Sequence, residues 1–190
     1  MSDIEIEIQA KIEHKKPLLD FLKKQGKFVG EQHQIDEYYT APHRDFIAVR
    51  PAKEWLRLRD DNGKYSINYK NWYFTKTGES HYCDEYESPV ANIEKLQKIF
   101  EALDFKKIAT VDKKRQLWMY DNYEFAIDSV ANLGDFVEIE YKGSAKVVPT
   151  KVTAEMIKLL KKIGCGRIER NYNGYPFMLL FPDEVKIDVL

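Results

Sequence analysis

The chain has 190 residues and a mass of 22.4 kDa, the size of one domain. Hydrophobic residues make up 44% and charged residues 32%, enough apolar content for a core and too much for a disordered polyelectrolyte. With 30 Lys and Arg against 31 Asp and Glu the net charge is −1, which argues against nucleic-acid binding driven by bulk charge. No window approaches the roughly 20 apolar residues of a membrane helix, and the densest apolar run spans only 177–181. The N-terminus has no basic region followed by an apolar one, so no secretory signal is expected. Cys83, Cys165 and the 4 histidines show neither zinc spacing nor a disulfide framework. These features predict a cytoplasmic single domain over 1–190, without a membrane or nucleic-acid partner.

In chain order, Ile4, Ile6, Ile8, Ala10 and Ile12 alternate with Glu5, Glu7, Gln9, Lys11 and Glu13, the period of a strand. Residues 14–25 read as a helix, with Pro17 early, Leu18, Leu19, Phe21 and Leu22 apolar, and Gly26 as the stop. Alternation returns over 34–39, 55–59, 65–72 and 81–87. The stretch 40–53, with Pro42 and Pro51, is expected to be a long surface loop, and Asp61-Asn62-Gly63 is a turn signal. Over 92–103, Ile93, Leu96, Ile99, Phe100 and Leu103 form one stripe of a helix. Strands over 108–120, 123–130 and 136–141 are joined by turns at Asp121-Asn122 and Asn132-Leu133-Gly134. A last helix is expected from Thr153, as N-cap, to Gly164, with Met156, Ile157, Leu160 and Ile163 apolar. Short turns between consecutive strands predict antiparallel pairing, and the sum is an α+β fold dominated by a large antiparallel sheet.

The functional information lies in which polar residues share a strand face. Glu5 and Glu7 point together, followed by Gln9 and Lys11; Arg57 pairs with Arg59, Asn68 with Lys70, Glu85 with Glu87, Lys113 with Arg115, and Glu138 with Glu140. Asp128 stands opposite Phe125 and Ile127. For any one pair the plain reading is a solvated face over a core. Taken together, the signs segregate by strand. About eight antiparallel strands can close into a barrel with helices packed outside and charged faces inward. Such an interior needs a charged occupant, because like charges in a poorly hydrated space disfavour ionisation. Arg and Lys suit a chain of phosphates, and carboxylates suit hard divalent cations. Together they describe a metal–polyphosphate complex.

Several stretches make the comparison specific. Glu5-Ile6-Glu7-Ile8-Gln9 opens the chain, and Gln34-Ile35-Asp36-Glu37-Tyr38-Tyr39, Pro42-His43-Arg44-Asp45-Phe46 and Trp55-Leu56-Arg57-Leu58-Arg59 follow. Then come Val111-Asp112-Lys113-Lys114-Arg115 and Asp128-Ser129-Val130-Ala131-Asn132-Leu133-Gly134-Asp135-Phe136-Val137-Glu138-Ile139-Glu140. In content and order, over roughly residues 2 to 175, they resemble the CYTH family of triphosphate tunnel metalloenzymes, which includes class IV adenylyl cyclases and thiamine- and inorganic triphosphatases. The resemblance implies a closed antiparallel β-barrel, the triphosphate tunnel, holding Mg2+ or Mn2+. It implies that Glu5, Glu7 and Glu140, with Glu138 beside them, ligate metal. Arg57, Arg59, Lys70, Lys113 and Arg115 would hold the triphosphate, while Asp128 would orient a basic group or an outer-sphere water. Glu5, Glu7, Arg59, Lys113, Arg115 and Asp128 would be the catalytic set. Gln9 departs from the lysine of the family's Glu-x-Glu-x-Lys opening. Lys11, one pleat on, is a candidate replacement, and Arg170 is a candidate substrate contact with surface solvation as its alternative.

The Pro42 to Phe46 stretch is most similar to the class IV cyclase branch, so the leading expectation is ATP conversion to cyclic AMP and pyrophosphate. The alternative is hydrolysis of tripolyphosphate, thiamine triphosphate or a nucleoside triphosphate. A second alternative, motivated by Gln9, is a non-catalytic polyphosphate- or nucleotide-binding module. The expected partner is a small-molecule triphosphate, with a homodimer left open.

Overall fold

The computed structural model describes residues 6–50, 52–74, 80–143, 147–185 and 187–190, the side chains of 74 and 80–83 excepted. The elements run β1 (Glu7–Ile12), α1 (Lys15–Gln25), β2 (Lys27–Thr40), β3 (Glu54–Asp61), β4 (Lys64–Phe74), β5 (Ser80–Val90) and α2 (Ile93–Ala102). They continue as β6 (Lys106–Tyr120), β7 (Tyr123–Val130), β8 (Gly134–Tyr141), α3 (Pro149–Ile163), β9 (Ile168–Asn171), α4 (Tyr175–Leu180) and β10 (Ile187–Val189). The expected α+β class holds. The sheet order is β10-β9-β1-β8-β7-β6-β2-β3-β4-β5. The pairs β1–β8, β1–β9, β9–β10, β2–β3, β3–β4, β4–β5 and β7–β8 are antiparallel. Among the described residues no helix is long and apolar enough to cross a membrane.

The chain divides into two compact units, residues 1–32, 114–174 and 185–190 in one, and 33–113 with 175–184 in the other. In the first unit, Ile8, Ala10 and Ile12 of β1, Phe125 and Ile127 of β7, and Val137 and Ile139 of β8 form one apolar sheet face. Leu18 and Leu22 of α1 and Val152, Met156 and Leu160 of α3 cover it. Each such fully buried Leu, Ile or Phe stabilises the unit by about 1.5–3 kcal/mol relative to exposure. In the second unit, Tyr39, Leu56 and Leu58 pack with Phe46 and with Phe100 of α2. The β3–β4 hairpin turns through Asn62 (φ 52°) and Gly63 (φ 82°), the consecutive left-handed pair that the twist of adjoining strands favours.

Three expectations need correction. There are ten strands among the described residues, not about eight, because β9 and β10 are too short (4 and 3 residues) to display alternation. The apolar run 177–181 falls largely within α4, whose residues are apolar on every side and so carry no helical period. Helix α3 begins at Pro149 with Val148 as its N-cap, so Thr153 lies inside it; proline at the first helical position supplies the start. The stretch between β2 and β3 is the expected surface loop, with most of its residues exposed, and it is tied down: Phe46 donates its N–H to Thr40 Oγ1 at 2.8 Å and buries its ring. Asp45 Oδ1 accepts the Ile47 N–H at 3.0 Å, and Ala41 and Ala52 are buried.

Candidate ionic sites

In the second unit the pleat gives β2, β3 and β4 one apolar and one polar face. The register aligns Asp36 with Arg59, Tyr38 with Arg57, Arg57 with Asn68 and Arg59 with Ser66, so these side chains share the polar face. Despite its polarity this face is covered. Asp36 is 1% exposed and Lys113 5%, and Gln34, Tyr38 and Asn68 are also buried.

Asp36 organises this face. Arg59 grips it with both ends of its guanidinium fork, Nε to Oδ1 at 2.6 Å and Nη2 to Oδ2 at 2.7 Å. Arg57 Nη1 and Lys113 Nζ each stand 3.8 Å from Oδ2. Burial alone would push the Asp36 carboxyl up, but the Arg59 hydrogen bonds and the charges of Lys113, Arg57 and Arg59 outweigh it and hold it below the usual carboxylate range. Arg57 has a further property: its Nε is buried and makes no hydrogen bond. The Lys113 ammonium lies 5.4 Å from the centroid of the Tyr175 ring on α4. Next to Arg57, Asn68 donates to Glu85 Oε1 at 2.6 Å and Lys70 Nζ reaches Glu85 Oε2 at 3.0 Å. Glu85 is thus the counter-ion of Lys70. Tyr38 is buried with its phenol pushed up to about 12, by desolvation first and by the Asp36 charge second.

In the first unit the polar faces of β1, β7 and β8 line up in rows. Glu7 pairs with Glu140, which pairs in turn with Glu124; Gln9 pairs with Glu138; and Lys11 with Phe136, which pairs with Asp128. Arg115 forks Asp128 through Nε (2.7 Å) and Nη2 (2.6 Å), and its Nη2 also donates to Glu138 Oε2. The other Glu138 oxygen accepts from Gln9 Nε2 at 2.7 Å, and Gln9 Oε1 accepts from Asn171 Nδ2. A continuous chain therefore runs Asn171, Gln9, Glu138, Arg115, Asp128. Asp128 is completely buried.

The remaining expected residues are placed as follows. Glu5 lies outside the described residues. Glu7 is exposed, and Lys142 Nζ pairs with Glu140 Oε2 at 2.6 Å. Lys11 stays on the Gln9 face with its ammonium 5.9 Å from the Phe136 ring centroid. Arg170 registers with Ala10 and Asp188, on the face opposite Gln9 and Asn171, and its guanidinium stacks 4.6 Å from the Tyr172 ring. His43 is exposed. Two grooves of about 340 and 620 Å³ open around Asp104, Lys106 and Lys107; neither is lined by the cations named above.

Among the described residues no group of three or more His, Cys, Asp or Glu could hold a metal ion. A magnesium-like cation, however, asks the protein for only one or two carboxylates and keeps water and substrate oxygens for the rest. The Glu7–Glu140 pair fits that demand, with oxygen donors alone and the two side chains facing each other across one ladder. Glu138, with both oxygens engaged, is less available. The sequence did not point to Asp36, Glu124 or Asn171. Asp36 was legible in principle, since Gln34, Asp36 and Tyr38 alternate on one side of their strand.

The family is shown by sequence, and solved structures share the fold. The CYTH domain family model matches residues 3–172. A candidate adenylate cyclase of Methanocaldococcus jannaschii is 34% identical over 165 residues, covering 86% of this chain and 91% of that protein. Among solved structures, a Pyrococcus horikoshii protein superposes with a TM-score of 0.72 at 23% identity, covering 95% of this chain and 100% of its own. A candidate adenylyl cyclase from Hippeastrum, described as having a dominant triphosphatase activity, has a TM-score of 0.63 at 19% identity, with 94% and 95% covered.

Proposed function

The chain belongs to the CYTH domain family, and from that premise we propose that it is a divalent-metal-dependent enzyme of nucleoside triphosphates that converts ATP to cyclic AMP and pyrophosphate. The observation that carries the reading is Arg57. A half-buried guanidinium whose Nε is itself buried and without a hydrogen bond, 3.8 Å from a carboxylate already forked by Arg59, is a donor array short of an acceptor. Phosphoryl oxygens are the acceptors that fork geometry suits best.

In this reading Arg57, Arg59, Lys70, Lys113 and Arg115 hold the phosphate chain and neutralise charge as it develops on the phosphoryl oxygens. Lys11 is a peripheral contact, and Arg170, which β9 turns to the opposite face, is left out of the set. Asp128 orients Arg115. Glu7 and Glu140, with Glu5 and Glu138, would hold the Mg2+ or Mn2+, which supplies Lewis-acid polarisation of those oxygens when bound. The ribose 3′-hydroxyl gives its proton to solvent, its oxygen bonds the α-phosphorus in line, and pyrophosphate leaves with the bridging oxygen. A closed β-barrel with the ionic faces inward, a single functional domain over 1–190 and a cytoplasmic location belong to the same proposal.

Triphosphate hydrolysis is the second reading, favoured by the activity described for the Hippeastrum protein. There water attacks the terminal phosphorus and phosphate leaves the shortened chain. The test is turnover of ATP, tripolyphosphate and thiamine triphosphate with magnesium or manganese, assayed for cyclic AMP, pyrophosphate and phosphate. Cyclic AMP with stoichiometric pyrophosphate supports the cyclase. Phosphate alone selects the hydrolase, and tight binding without product overturns both in favour of a binding module.

A further inference from the structure

We propose that Asp36 is a positioning residue: it stands in for part of the substrate's charge and so keeps Arg57, Arg59 and Lys113 assembled as a preformed anion site before any anion arrives. The inference rests on the triphosphate reading above and adds to it the device that holds the site ready.

Three cations with side chains 13%, 18% and 6% exposed converge on one carboxylate that is 1% exposed. Like charges brought this close in a poorly hydrated environment repel strongly and disfavour their own ionisation. Arginine cannot escape by deprotonating. Without Asp36 the mutual repulsion of the three cations would destabilise the empty folded state until a bound anion offset it. Asp36 offsets it before any anion arrives. Its two oxygens are occupied by the Arg59 fork. Arg57 and Lys113, at 3.8 Å, are attracted without being hydrogen-bonded to it. The carboxylate thus supplies charge to all three cations but takes up the directional donors of only one. Arg57 keeps its unpaired Nε. The charged groups facing Asp36 come from its neighbouring strand β3 (Arg57, Arg59) and from β6 (Lys113), and the Tyr38 phenol stays neutral beside them.

The consequence has a sign. An anion and Asp36 do the same electrostatic work, so the anion should matter more when Asp36 is gone. The experiment uses thermal unfolding of the full chain with and without metal-free tripolyphosphate in a chelator. In the natural protein tripolyphosphate raises Tm. In Asp36→Asn, of unchanged shape, Tm without anion is lower, and saturating tripolyphosphate raises it by more than the natural increment, since a ligand that binds only the folded state stabilises it by an amount that grows with the logarithm of its affinity. A fold that merely lost a buried hydrogen-bond acceptor would start lower but gain no more than the natural chain does. An increment equal to or smaller than the natural one overturns the inference. No shift in the natural protein overturns the triphosphate reading itself, a separate result. Should Asp36→Asn fail to fold without anion, the double variant Asp36→Asn/Arg59→Gln decides. Removing one cation along with the carboxylate should restore cooperative unfolding; a double variant no more stable than the single one overturns the proposal.

Discussion

Glu7 on β1 and Glu140 on β8 stand directly opposite one another in the antiparallel ladder. The adjacent pair is closed by the Tyr141 N–H donating to the Ile6 carbonyl at 2.9 Å. Antiparallel pairs alternate between hydrogen-bonded and open, so Glu7 and Glu140 occupy an open pair, in which side chains lie closest. Two carboxylates there repel and weaken the ladder. Glu7→Gln should therefore leave Tm unchanged or slightly raised while lowering metal-dependent turnover by about 100-fold or more, beyond the 10–100-fold that loss of a ligand's supporting partner costs. The check is a paired measurement of Tm and kcat on the same preparation. Full activity in that variant would remove Glu7 from the metal set.

Arg59 carries both stability and binding. Its removal leaves Asp36 buried with only the two longer contacts from Arg57 and Lys113. Breaking a buried pair in this way costs about 3–5 kcal/mol, so Arg59→Ala should show a markedly lower denaturant midpoint. Affinity should fall more for tripolyphosphate than for orthophosphate, because a longer anion meets more of the basic residues. Calorimetric titration with both anions checks this, and equal losses would contradict a linear polyphosphate site.

Acid stability follows from the same carboxylate. The folded-state pKa of Asp36 is depressed, so the folded protein binds this proton less readily than the unfolded chain does. Its contribution is complete above the ordinary Asp value of about 3.9 and is lost as pH falls through the lower folded value. Glu37 and Glu85 are also held low, each against the opposing effect of burial, by hydrogen bonds from Tyr39, Lys107 and Gln97 and by the Lys70 charge respectively. The informative quantity is therefore a difference. The stability gap between the natural chain and Asp36→Asn, from denaturant unfolding, should be constant from about pH 7 to 5 and narrow steadily toward pH 2. A gap that widens on acidification would reverse the assigned shift.

What the sequence reveals of the fold depends on the length scale of each feature. The long strands and α1 and α2 declare themselves through repetition, and Asn92 caps α2 by accepting the Lys95 N–H at 2.8 Å. The charged pairs Arg57–Arg59 and Glu138–Glu140 were legible for the same reason, because a period of two assigns a face. Strands β9 and β10 and helix α4 were not, since three to six residues contain too few periods. Pairing partners were hidden as well. Nothing in the spacing of Asp36 and Arg59, 23 residues apart, states that their strands lie side by side in that register, and Arg170 reveals its face only once β9 is aligned on Ala10.

Gln9 shows what such alignment adds. Its departure from the lysine of the family's opening motif marked it in the sequence, and its contacts explain how a neutral residue is accommodated. The amide nitrogen donates to Glu138 while the amide oxygen accepts from Asn171; a lysine could do only the first. Gln9→Lys should therefore leave the Asn171 amide facing a cation, and the new ammonium should compete with Arg115 for Glu138. One added unit charge at about 4 Å, screened as fully as in bulk water, contributes about 1 kcal/mol, roughly fivefold in affinity. Tripolyphosphate should bind Gln9→Lys about fivefold more tightly at low salt, with a steeper loss of affinity as salt rises. Adding Asn171→Asp should cancel the gain by restoring local neutrality and giving the ammonium an acceptor on its other side. Titrations at two ionic strengths on the three proteins decide it. Unchanged affinity and salt dependence in Gln9→Lys would place position 9 outside the reach of the bound anion.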